Sequence, residues 1–290
     1  MDIINSEDNP DLIIDKPTVP RPVVLVLLDS WGIAPKHHGN VFTGLKLKTL
    51  SRLIKNYPLA LLTADQPTIK ERYQIIGASG LLSKSISAAG LSQFNLTESE
   101  KLLPSWYYFN GGREVLLEKE ALKVISSKIG SRQEDPKQVL PEIIKLAISD
   151  VKKGLHDFFV VNLANLDLVS AGESLEAAKT AAKLLDKNIK RLVDVVLEQH
   201  GLLIVTSAYG HSESMINPAT DLPQSGITNN PVPFIIVGHD YQGKTIGLPD
   251  TLDDDLSLVE AVGKLENVAP TILKILNIPQ PEDMPGESLI

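Results

Sequence analysis

The chain predicts an α/β fold: three layers, α/β/α, around a mostly parallel sheet. Two observations carry this. First, short runs of contiguous Val, Ile, Leu and Phe recur at Val23–Leu28, Asp157–Leu163, Leu202–Thr206 and Pro233–Gly238. Such runs read as strands buried on both faces, the usual state of a central parallel strand. Second, these runs alternate with stretches of 3.6-residue apolar spacing, the pattern of helices packed on a parallel sheet. With 290 residues, 43% of them hydrophobic, there is enough apolar material for one large α/β domain or two small ones.

The elements follow in order. Residues 1–21 are acidic, Pro-containing and aperiodic, and read as a tail or surface strap ahead of a domain spanning 22–290. Within the tail, Leu12–Ile14 is a candidate partner-binding stretch. Val23–Gly32, VVLVLLDSWG, is the first central strand and its exit. Ala34–Asn40 is a loop with His37 and His38. Leu45–Lys55 predicts a helix and Leu59–Thr63 a short strand. Thr63–Gly80 reads mostly as loop. Leu81–Ala89 predicts a helix stopped by Gly90. Ser105–Phe109, SWYYF, reads as a strand closed by Asn110-Gly111-Gly112.

Val139–Val151 predicts an amphipathic helix, and Ser174–Gln199 a long one stopped at Gly201. Asp253-Asp254-Asp255 reads as a solvated acidic surface, although three carboxylates can attract calcium. Val268–Leu276 predicts a closing helix, after which Leu289 and Ile290 are expected to tuck back onto the body. No internal repeat is visible.

Charge and composition exclude several classes. The formal net charge is −8, from 36 acidic and 28 basic residues. Nucleic acid and anionic membranes need a basic face, so neither is the expected main partner. Without any Cys, the chain can form no disulfide and hold no thiolate-bound metal. No stretch reads as a signal peptide or a membrane span, so the cytoplasm is the expected compartment.

The chemistry centres on Asp29. It ends the first central strand, and in open α/β sheets the site lies at the carboxyl ends of the strands. A carboxylate there suits metal or phosphate chemistry. Asp and Gly also favour turns, so Asp29 is equally well read as a turn residue.

Several stretches together resemble the cofactor-independent (2,3-bisphosphoglycerate-independent) phosphoglycerate mutases of the alkaline phosphatase superfamily. They are VVLVLLDSWG, ESEKLLPSWYYFNGGRE, FFVVNLANLDLVSAG, LLIVTSAYGHSE, TNNPVPFIIVG and ENVAPTILKILNIPQPEDMPGESLI. The resemblance runs from Arg21 to Ile290. It implies an alkaline-phosphatase-like domain with two divalent metals and a phosphorylated serine. In the family a second, inserted domain grips the phosphoglycerate. That insert is missing here, since LTADQPTIKERYQII runs straight into GASGLLSKSISAAGLSQFNL. The family's serine segment before the insert is unmatched as well. Thr63 and Ser79 are nearby hydroxyls without its context.

Carried over position by position, the family's first aspartate is Asp29 and a second is Asp167, both weak metal ligands alone. A family lysine that faces phosphate is Lys101. The remaining ligand positions hold Ala171, Ala208, Tyr209 and Ile227. Two aspartates cannot clamp two ions, so the expectation is no cofactor and at most one weakly held Mg²⁺ or Mn²⁺. Ala171, Ala208 and Ile227 are expected near the core, where they avoid unpaired polar groups. Lys101 is expected to act as counter-ion to Asp29 or Asp167. A rebuilt site would need Asp29, Asp167, His211 and His37 or His38 to converge.

Three functions follow. The first is a pseudoenzyme that binds, scaffolds or regulates, with another protein or a second copy as partner. The second is a residual metal-dependent phosphatase or phosphoglycerate mutase-type enzyme using Asp29 and Asp167. The third is a small-ligand binder using Lys101.

Overall fold

The structure, a computed structural model, describes residues 19–127, 139–172, 174–246 and 255–290. Leu12–Ile14 and the acidic residues Asp253 and Asp254 lie outside them. Eight strands form one sheet: β1 (Val23–Leu27), β2 (Leu59–Thr63), β3 (Gln93–Glu98), β4 (Glu120–Ile125), β5 (Phe158–Asn162), β6 (Leu202–Thr206), β7 (Val232–Val237) and β8 (Gly263–Lys264). Their spatial order is β4-β3-β5-β1-β6-β7-β2-β8. β1 pairs in parallel with β5 and β6, and β3 with β4 and β5. Among the described strands only β7 runs antiparallel, against both β2 and β6.

Every residue of β1 is buried because the strand serves two core layers. Val24 and Val26 face one layer, with α1 (Lys48–Asn56), α4 (Leu140–Lys153) and α6 (Leu175–Glu198). Val23, Leu25 and Leu27 face the other, with α2 (Ile69–Ile76), α3 (Leu81–Ala88) and α7 (Val268–Ile275). Alternate side chains of a strand point to opposite faces, so helices on both sides demand an unbroken apolar run.

Local chemistry sets the helix ends. Thr68 and Glu71 form a reciprocal cap at α2: the Glu71 N–H donates to Thr68 Oγ1 at 3.2 Å, and the Thr68 N–H to Glu71 Oε2 at 3.1 Å. Gly154, at φ 60°, ends α4 in the left-handed region open to glycine. α1 has no cap of its own. Asp186 of α6 instead accepts the N–H groups of Thr49 (3.1 Å) and Leu50 (2.8 Å).

Three expectations need correction. Ser105–Phe109 is not a strand: residues Leu103–Tyr108 form a π-helical turn opened by Pro104. Aromatic residues favour strands only weakly, and here Trp106 and Phe109 bury into a helical wall. Thr63–Gly80 is not mostly loop, since α2 occupies its centre. Only Leu289 of the C-terminal pair tucks in: its N–H donates to Thr271 Oγ1 at 3.0 Å, whereas Ile290 is 37% exposed.

Candidate functional site

Pairing of Leu27 with both Asn162 and Thr206 aligns the carboxyl ends of β1, β5 and β6. The segments leaving that rim carry Asp29, Asp167 and Tyr209. Asp167 lies in a short helix, α5 (Asn165–Ser170), directly after β5. Beside β5, β3 ends in a tight turn, Ser99–Lys101, which delivers the lysine.

These side chains converge. Lys101 Nζ lies 2.6 Å from Asp167 Oδ2 and 3.6 Å from Asp29 Oδ2, and donates to the Tyr209 hydroxyl at 2.8 Å. Asp29 has no exposed surface. Its Oδ1 accepts from the Tyr73 hydroxyl at 2.5 Å and its Oδ2 from Asn162 Nδ2 at 3.1 Å. Asn162 Nδ2 also donates to the Tyr73 oxygen at 2.9 Å.

The electrostatics follow from burial. Desolvation raises the Asp29 carboxyl above the usual range, Lys101 opposes that rise, and the Asp167 charge adds to it. Burial works against the Lys101 ammonium, but Asp167 and Asp29 outweigh it and hold its pKa above the ordinary lysine value. Tyr73 and Tyr209 are both pushed well up, first by burial and then by the neighbouring carboxylates. Both phenols therefore remain protonated near neutrality, and Tyr73 can donate to Asp29.

The other predicted residues separate. Ala208 is fully buried and Ile227 is half-buried against the α2/α3/α7 layer. Ala171 is exposed after α5, which corrects its expected place near the core. The histidines do not join Asp29. The His37 ring accepts the Gly39 N–H at 3.1 Å, His38 pairs with Asp221 at 2.7 Å, and His211 faces the Gln224 carbonyl at 3.3 Å. Among the described residues no three His, Cys, Asp or Glu side chains come together in a metal-holding group. Ser79 is exposed in a left-handed turn at φ 52°, with its carbonyl against Gly111, and Thr63 ends β2.

Sequence reasoning missed Tyr73, Asn162 and Glu213. Glu213 is fully buried and accepts from the Gly32 N–H at 3.2 Å, Asn230 Nδ2 at 2.9 Å and the Thr228 hydroxyl. A Cβ built on Gly32 or Gly210 would meet its carboxylate at 2.5 or 2.3 Å. Those two glycines, each just after an aromatic residue at a strand exit, were the available signal.

A family model described as the metalloenzyme superfamily matches residues 21–280. The chain belongs to the metalloenzyme superfamily. Two phosphoglycerate mutases are similar in sequence. The 2,3-bisphosphoglycerate-independent phosphoglycerate mutase of Chloroflexus aggregans is 34% identical over 210 residues, covering 72% of this chain and 37% of that protein. The enzyme of the same name from Francisella philomiragia is 34% identical over 199 residues, covering 68% of this chain and 36% of that protein. The chain thus spans little more than a third of the length of these curated relatives.

Solved structures agree on the fold. Leishmania mexicana phosphoglycerate mutase at low cobalt concentration superposes with a TM-score of 0.58 at 26% identity, over 71% of this chain and 38% of that one. A putative sulfatase from Bacteroides thetaiotaomicron gives a TM-score of 0.61 at 10% identity, over 93% of this chain and 74% of that one. The domain is phosphoglycerate mutase-like in sequence, and its α/β fold is shared with a protein of the alkaline phosphatase superfamily from Vibrio parahaemolyticus.

The superfamily's name implies metal, and the residues present do not fit a metal pair. A two-metal site needs several oxygen or nitrogen donors per ion. Here the two carboxylates already share one ammonium, and both oxygens of Asp29 accept hydrogen bonds. Tyr209, at a ligand position expected from the resemblance, has its hydroxyl on Lys101 instead.

Proposed function

We propose that this metalloenzyme-superfamily chain is catalytically silent and works as a binding, scaffolding or regulatory protein, with another protein or a second copy of itself as partner. One observation carries the reading: the Lys101 ammonium sits against Asp167 at 2.6 Å and Asp29 at 3.6 Å, where a cation would be held. A bound divalent ion supplies charge stabilisation and activates a nucleophile. The residues around Lys101 supply neither, since Tyr73 and Tyr209 are buried phenols held protonated. Leu103, Val115 and Leu116, apolar side chains left exposed at the surface, support a protein partner. We further propose that the chain works in the cytoplasm.

The retained pair Asp29 and Asp167, and relatives named as mutases, favour a second reading, a residual metal-dependent phosphatase or phosphomutase. The small-ligand reading is the weakest, because the Lys101 side chain is only 8% exposed and already engaged. The deciding experiment is hydrolysis of aryl phosphates and phosphoglycerate with Mn²⁺, Mg²⁺ and Zn²⁺. We expect no turnover above buffer. Turnover abolished by Asp29→Asn would overturn the proposal. Capture of partners with and without residues 1–21 tests the binding role.

A further inference from the structure

We propose that His200 and His239 form a binding site for zinc, or a divalent ion of similar softness, at the rim of the sheet opposite the Asp29 cluster. Topology brings the two together. β6 and β7 pair antiparallel with Leu203 against Val237, so the start of one strand lies beside the end of the other. His200 stands two residues before Leu202, where β6 begins, and His239 two residues after Val237, where β7 ends. The Asp29 cluster sits at the carboxyl end of β6 and this pair at its amino end, so the site does not depend on whether the cluster is catalytically silent.

The first support is spacing. The two imidazole rings lie 5.7 Å apart, centre to centre. Two imidazoles on one zinc, each with its nitrogen at about 2.0–2.1 Å, have centres roughly 5–6 Å apart, so the rings stand at the separation a shared ion requires. Both residues are exposed, and an ion displaces no packing there. The second support is orientation. The Leu197 carbonyl, near the end of α6, accepts the His200 backbone N–H at 2.9 Å and a hydrogen bond from His239 Nε2 at 3.0 Å. A carbonyl has no proton to give, so Nε2 is the donor and the neutral His239 ring keeps its lone pair on Nδ1. A ring N–H held by a carbonyl, with the other nitrogen free for metal, is the common state of a ligating histidine. The carbonyl end of a helix also favours a cation. The rival pair, His37 and His38, is 6.0 Å apart but already engaged with the Gly39 N–H and with Asp221. Nitrogen donors in a chain without cysteine select Zn²⁺, Ni²⁺ or Cu²⁺ over Mg²⁺ or Ca²⁺. Among the described residues no third His, Asp or Glu joins the pair, so water fills the remaining positions. Bound there, the ion ties the end of α6 to the end of β7.

The test uses the full chain, with Zn²⁺ as the probe, Mg²⁺ as the contrast, and titration calorimetry and thermal melting as readouts. Wild type is compared with His200→Asn, His239→Gln, the two combined, and His38→Asn. Asparagine tolerates the left-handed backbone at position 200, where φ is 55°, and glutamine keeps an N–H for the Leu197 carbonyl. We expect wild type to bind a single zinc, to melt roughly 4 °C higher at zinc about a hundredfold above its Kd, and to ignore Mg²⁺. His200→Asn and His239→Gln should each weaken zinc binding by about tenfold or more, and His38→Asn should leave it unchanged. Should a variant lose its fold, the imidazole NMR signals of wild type decide: zinc is expected to shift those of His200 and His239 and to leave those of His37 and His38 in place. Wild type that does not bind zinc overturns the inference. Zinc binding that survives the combined variant, or that His38→Asn abolishes, overturns it as well.

Discussion

Replacing Lys101 by Met tests the cluster without any metal. Methionine keeps most of the aliphatic stem and removes the charge, so packing changes little. What is lost is the cation 2.6 Å from Asp167 and 3.6 Å from a fully buried Asp29. Removing one partner of a buried pair costs about 3–5 kcal/mol, because the remaining charge stays out of water. Unfolding entropy of about 2.1 cal/mol/K per residue amounts to roughly 0.6 kcal/mol/K for a chain of this size. The melting temperature should therefore fall by roughly 5–8 °C in chelator-treated buffer. The assay is differential scanning calorimetry, with exposed Lys187→Met as the surface control, expected within about 0.5 kcal/mol of wild type. A Lys101→Met melt within about 1 °C of wild type would refute the reasoning, since the ammonium would then carry no structural charge load.

Three further outcomes are expected. Asp186→Ala should cost about 1–2 kcal/mol by urea denaturation, because it uncaps Thr49 and Leu50 at the start of α1; an unchanged midpoint contradicts the borrowed cap. Gly32→Ala should cost about 1–3 kcal/mol, because its Cβ would press on the Glu213 carboxylate at 2.5 Å; full stability would mean that Glu213 moves freely. His156 stacks on Phe94 at 5.0 Å, and burial lowers its pKa against the opposing pull of Asp150 and Asp157. Its neutral ring contributes stability above the unfolded value of about 6.5, and that contribution is lost as pH falls through the lower folded value. Denaturation series at several pH values should therefore show wild type losing more stability below pH about 6.5 than His156→Gln; parallel curves contradict this.

The central sheet was legible because β1, β5, β6 and β7 bury both faces and so carry apolar runs. β3, QFNLTE, was not, although all six residues are buried. Its polar side chains bond tertiary partners that no local pattern announces: Gln93 Nε2 donates to the Ser83 carbonyl at 2.8 Å, and Asn95 Nδ2 to Glu120 at 3.1 Å. β4, EALKVI, is an edge strand paired only with β3, so half-exposed residues break its apolar pattern. The π-helical turn was mistaken for a strand because SWYYF has strand-like composition while its burial is set by neighbours. In the site, Asp29 was readable from its place at a strand end. Asp167 could be placed after a second central strand, but its role, like that of Lys101, was visible only through resemblance. Tyr73 was hidden in a segment read as loop, and Asn162 looked like any residue ending an apolar run. What linked them was register, which the sequence does not spell out.

The most direct measurement is anomalous diffraction from crystals grown with millimolar Mn²⁺. The account predicts no anomalous peak between Asp29 and Asp167, and Lys101 Nζ in density against Asp167. Two peaks about 3.5–4 Å apart at that place, with Lys101 turned away, would contradict it.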